Sequence, residues 1–120
     1  MKALSPLSAG LVRALGGLLT PGGARAGLLV LIYHRVLERP DPLLQGEPDA
    51  REFAAQMDLI QSICRVLPLE EGVDRLRSGS LPQRAVSITF DDGYENNRTI
   101  AATILKERGI PATVLVATGY

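Results

Sequence analysis

Hydrophobic positions along this chain switch between helical and extended spacing, and the switches mark out its elements. Leu4, Leu7, Leu11, Leu15 and Leu18 recur at helical spacing behind Ser5-Pro6, which predicts a first helix. Thr20-Pro21-Gly22-Gly23 breaks it. From Gly27 to Val36 the apolar run has no helical period, which suits a short strand buried on both faces. That strand delivers Tyr33 and His34 at its C-terminal end. Pro40 to Pro48 is a loop, and Asp49 with Glu52 forms a capping-box pattern at the start of the next helix. Phe53, Met57, Ile60 and Cys64 follow as its core stripe, with Cys64 read as a small buried hydrophobe.

Val66 to Leu69 is predicted as a short strand, and Glu70 to Arg77 as a short helix ended by Gly79. In the strand Ala85 to Phe90, Val86, Ile88 and Phe90 alternate with Ser87 and Thr89. A helix is expected from about Asn96 to Arg108, burying Ile100, Ile104 and Leu105; Glu95 and Asn97 belong to its start. Gly109 and Pro111 stop it, and Ala112 to Val116 begins another strand. Strands alternating with helices predict an α/β fold with parallel strands and crossover helices, in either a barrel or an open sheet.

Composition narrows the function. Lys and Arg number 13, as do Asp and Glu, so no bulk charge draws the chain to nucleic acid or to an anionic membrane. One cysteine, Cys64, rules out an intrachain disulfide and leaves the redox compartment open. One histidine, His34, rules out a histidine-rich metal site built from this chain alone. Trp is absent, so any aromatic sugar platform must lie elsewhere or be built from Tyr33, Tyr94 or Tyr120. No run of about 18 uncharged apolar residues exists. The helix at residues 1–19 either packs on the domain, lies on a membrane surface as a peripheral contact, or belongs to a cleaved signal whose pattern Arg13 interrupts. The compartment therefore stays open between cell envelope and cytoplasm.

The chemistry concentrates at Asp91-Asp92-Gly93, where a buried strand ends. C-terminal strand ends are where parallel α/β folds bind ligands. Gly93 permits a sharp turn, and two close carboxylates divide readily into one that holds a cation and one that takes a proton. That division suits metal-assisted hydrolysis. A plain polar turn would read the same way in isolation.

The context decides between them. Ser87-Ile88-Thr89-Phe90-Asp91-Asp92-Gly93-Tyr94, followed by Asn96-Asn97 and a helix, resembles the first motif of NodB-like polysaccharide deacetylases, carbohydrate esterase family 4. Gly109-Ile110-Pro111-Ala112-Thr113 is similar to a later segment of that family, and Tyr33-His34-Arg35-Val36 to the opening strand of one of its branches. The resemblance covers Leu28 to Tyr120. It implies residues 1–26 as an N-terminal helix and linker, and 27–120 as the N-terminal portion of a distorted (β/α) barrel. Such a barrel needs on the order of 200 residues or more. By the same resemblance Asp91 is the general base and Asp92 a metal ligand, with His34 and Tyr94 candidates to line the site. The implied reaction is metal-dependent removal of N-acetyl or O-acetyl groups from an acetylated cell-envelope polysaccharide, the metal being zinc or a similar divalent ion.

The family's His-Ser/Thr-x-x-His metal motif, its Arg-Pro-Tyr segment and its Leu-x-His segment have no counterpart here, since no histidine follows Asp92. Catalytic zinc takes three protein ligands, so this chain alone is expected to bind no metal and to be an inactive, truncated piece, with a shallow groove near Asp91. The alternative expectation is a non-catalytic carbohydrate-binding or interaction remnant of the fold. A haloacid dehalogenase-type phosphatase is disfavoured, because its two aspartates are separated by one residue whereas these are adjacent.

Overall fold

The computed structural model describes residues 26–91 and 95–116. Elements alternate as the sequence predicts: β1 (Leu29–Tyr33), α1 (Ala50–Ile63), β2 (Arg65–Val66), α2 (Leu69–Ser78), β3 (Ala85–Asp91), α3 (Glu95–Glu107) and β4 (Thr113–Leu115). The helix expected at residues 1–19 and the break after it lie outside the described residues. None of the described helices is long and apolar enough to cross a membrane.

The helix boundaries follow from their caps. At α1 the Asp49 carboxylate accepts from the Glu52 backbone N–H at 2.8 Å, and the Glu52 carboxylate accepts from the Asp49 N–H at 3.3 Å. This capping box satisfies two otherwise orphaned donors. Helix α2 ends at Gly79, whose φ of 71° is the left-handed conformation that glycine adopts without strain.

All strand pairs are parallel, and β3 is the hub. Strand β1 runs along one edge of β3, from Leu29 beside Val86 to Tyr33 beside Phe90. The other edge is shared: β2 pairs with Ala85 and Val86, and β4 with Thr89 to Asp91. With strands on both edges, Ala85 to Phe90 are all buried. Ser87 and Thr89 are therefore not the solvent side of a half-buried strand, as simple alternation suggests. Ser87 donates to the Leu67 carbonyl at 2.8 Å and Thr89 to the Leu31 carbonyl at 3.4 Å, which offsets the cost of burying their hydroxyls.

One face of the sheet carries the main core. Phe53, Met57 and Ile60 of α1 pack with Val86, Ile88 and Phe90 of β3 and with Ala101 and Leu105 of α3. Ile100 and Ile104 are only partly buried, because Ala101 occupies the innermost line of α3. Cys64 also departs from its expected place: it caps the C-terminus of α1 with extended backbone and is half-buried at the core's margin. The helix ends one residue before it, so its side chain leaves the stripe that Phe53, Met57 and Ile60 define. Burial pushes its thiol above the usual cysteine range. Arg108 then ties α3 to α1, donating to Asp58 Oδ1 at 2.7 Å, while Gln61 donates to the Arg108 carbonyl at 2.8 Å.

Among the described residues, the opposite face is covered at one end only. There α2 lies against β3 so closely that a Cβ on Gly72 would stand 3.0 Å from both Ser87 Oγ and Leu28 Cδ2. Replacing Gly72 with Leu should therefore destabilise the chain by about 1–3 kcal/mol, because the added side chain cannot enter without displacing α2. Urea denaturation measures this, and unchanged stability would show that α2 packs elsewhere. Towards the C-terminal strand ends the same face is open: Ile32 is 57% exposed and Leu115 47%.

Candidate active site

The open end of the sheet is where β1 and β3 bring their last side chains together. Successive strand residues alternate between faces, so Ile32 and Thr89 share the open face and His34 and Asp91 continue it. The register that sets Tyr33 beside Phe90 places His34 across from Asp91. His34 Nε2 stands 3.9 Å from Asp91 Oδ2, with the two side chains 56% and 35% exposed. An exposed pair at this distance adds little to stability; what matters is that an imidazole and a carboxylate share one mouth.

Behind the pair lies a rigid aromatic support. The Tyr33 ring stacks on Phe90 at 5.7 Å between centroids and meets Phe53 edge-on at 5.1 Å. This packs the ends of both strands together and so bears on the separation of His34 and Asp91. It also means that Tyr33 is no free sugar platform. Its hydroxyl donates to Gln56 Oε1 at 2.7 Å, and burial holds its phenol well above the usual tyrosine range. Tyr33 thus stays a protonated donor and does not act as a base.

This has a consequence at high pH. Above about pH 10 the phenol ionises in the unfolded chain but not in the fold, so stability contributed by neutral Tyr33 is complete below that pH and is lost as pH rises. The melting temperature, followed by circular dichroism from pH 8 to 11, should fall less steeply in Tyr33→Phe than in the native chain. Identical slopes would mean that the phenol is not held neutral.

Asp92, Gly93 and Tyr94 lie outside the described residues, as does Tyr120. Among the described residues, no group of three or more His, Cys, Asp or Glu is placed to hold a metal ion. His34 and Asp91 make two, short of the three protein ligands of a catalytic zinc. The described donors therefore do not fit that metal, and the chemistry they support is acid–base.

Two residues near the pair carried no motif in the sequence. A depression of about 180 Å³ at the C-terminal end of β1 is lined by Tyr33, His34, Glu47, Pro48 and Gln56 among others. It is not the groove expected near Asp91, since His34 rather than Asp91 borders it. The signal that could have found Gln56 is its position three residues after Phe53, a polar side chain on the buried stripe of α1, where it is only 7% exposed.

Residues 78–120 match the sequence profile of the polysaccharide deacetylase family. Among solved structures, IcaB from Ammonifex degensii superposes with a TM-score of 0.65 at 35% identity, over 80% of this chain and 39% of its own. The Streptococcus pyogenes deacetylase PplD, solved in complex with acetate, gives 0.64 at 26% identity, over 77% of this chain and 43% of its own. The chain belongs to the polysaccharide deacetylase family. A de-N-acetylase from Aggregatibacter actinomycetemcomitans aligns with a TM-score of 0.60 at 26% identity, over 72% of this chain and 36% of its own. No curated protein matches the chain. The chain spans about two fifths of the length of these deacetylase structures. Its parallel sheet and helices form the corresponding part of the deacetylase fold.

Proposed function

We propose that this chain supplies the Asp91-bearing part of a hydrolase that removes N-acetyl or O-acetyl groups from a cell-envelope polysaccharide. The observation that carries this reading is the juxtaposition of His34 and Asp91 at the open C-terminal end of a parallel sheet. Asp91, as general base, takes a proton from the attacking water as its oxygen bonds to the acetyl carbonyl carbon. His34, when protonated, is the group placed to return a proton to the sugar nitrogen or oxygen as its bond to that carbon breaks. Acetate and the free amino sugar, or alcohol, are the products. The acetate held by PplD is in keeping with this chemistry.

In this reading Asp92 is one ligand of a divalent metal, zinc by family resemblance, in the complete domain, with its remaining ligands supplied from beyond the described residues. The 120-residue chain by itself is then a piece of the fold with little or no deacetylase activity. The second reading is a carbohydrate-binding remnant of the fold, in which the same mouth holds a glycan without turning it over. Acetate release from an N-acetylated amino-sugar polymer by the native protein that carries these residues separates the two. Glycan binding without release supports the remnant and rejects the hydrolase.

A further inference from the structure

Gln56 is the group that the catalytic reading leaves unused. It is 93% buried by its 7% exposure, and its Oε1 accepts from the Tyr33 hydroxyl at 2.7 Å. Its Nε2 has two N–H donors and no partner among the described residues. A sealed, unpaired amide nitrogen would cost about 1–3 kcal/mol, and no described side-chain nitrogen or oxygen is sealed off without a partner. Gln56 is one of the residues that line the depression at the C-terminal end of β1. Half-buried Glu47 also lines that depression; its backbone N–H donates to the Leu44 carbonyl, while its carboxylate has no partner among the described residues. The lining thus includes an amide donor and a carboxylate acceptor. His34 belongs both to this depression and to the pair with Asp91.

That chemistry suits a sugar, whose hydroxyls donate to a carboxylate and whose hydroxyl or acetamido oxygens accept from an amide. At about 180 Å³ the depression is smaller than the roughly 300–1,000 Å³ of drug-sized pockets, a match for one unit of a chain. We propose that it is a glycan subsite holding the sugar next to the one that reaches Asp91, with Gln56 Nε2 donating to a sugar oxygen and Glu47 accepting from a sugar hydroxyl. This rests on the deacetylase reading and adds to it residues that position the chain.

The test is an NMR titration of the full ¹⁵N-labelled chain with a β-1,4-linked N-acetylglucosamine pentamer. The Gln56 side-chain amide and the backbone amides of Glu47 and His34 should shift together. Gln56→Glu, which keeps an acceptor for Tyr33 but loses the donor, should weaken binding about fivefold or more. Glu47→Gln, on the loop and away from the core, should weaken it about threefold. If the pentamer shifts residues around Asp91 while the Gln56 amide stays still and both variants bind as the native chain does, the subsite is wrong and the deacetylase reading stands. If the pentamer binds nowhere, the subsite falls, and the deacetylase reading is decided by acetate release from the native protein.

Discussion

Asp91→Asn should lower acetate release by the native protein about 100- to 10,000-fold, the range that a positioned general base contributes. Asparagine keeps the shape of the side chain and its reach towards His34 but cannot take a proton. The Asp91 side chain is 35% exposed at the C-terminal end of the central strand, outside the buried core, so the folded population should not change. The expected pattern is a loss in kcat with a melting temperature close to that of the native protein. Turnover within a few-fold of native would remove Asp91 from the base role and would return the Asp91-Asp92-Gly93 segment to a polar turn. A large loss of melting temperature would instead mean that the carboxylate supports the fold.

The largest effect on stability is expected at Phe53. Its side chain is fully buried and meets both Tyr33 and Phe90, at 5.1 and 5.9 Å between ring centroids. Truncation to Ala removes the contact between α1 and the ends of β1 and β3 and leaves a cavity, a change that costs about 3–5 kcal/mol. Native domains hold only about 5–15 kcal/mol in total, so Phe53→Ala should shift the urea midpoint strongly or leave the chain largely unfolded at 25 °C. Because the same ring supports the strand ends that carry His34 and Asp91, the Tyr33 hydroxyl bond to Gln56 should weaken as well. A shift below about 1 kcal/mol would contradict the packing described for this core.

The legible parts of the fold were those governed by local rules. The capping box at Asp49 and Glu52, the left-handed Gly79 and the stop at Gly109 each act within a few residues, and the helix limits follow them. Sheet order is a different matter. That β2 and β4 share one edge of β3 depends on pairings between distant segments, which no local pattern encodes. The same non-local packing explains why Ser87 and Thr89 are buried although they alternate like solvent-facing residues. Arg84 adopts a φ of 54° just before β3, a conformation that glycine or asparagine would have advertised and arginine does not.

The candidate site divides along the same line. Asp91 stood out because a carboxylate pair at a strand end is unusual chemistry in a recognisable sequence. His34 could be placed at a strand end but not beside Asp91, since only the register of β1 on β3 joins them. Gln56 and Glu47 were invisible. One reads as a helix residue and the other as a loop acid, until α1 and the loop fold over the end of β1.

The most direct measurement of the central claim is acetate release from an N-acetylated amino-sugar polymer. It should be made side by side on the native protein that carries these residues and on the 120-residue chain alone. The account predicts turnover by the former that depends on Asp91, and little or none by the latter. No release by the native protein, despite binding of the polymer, would contradict the hydrolase reading and leave a carbohydrate-binding fold in its place.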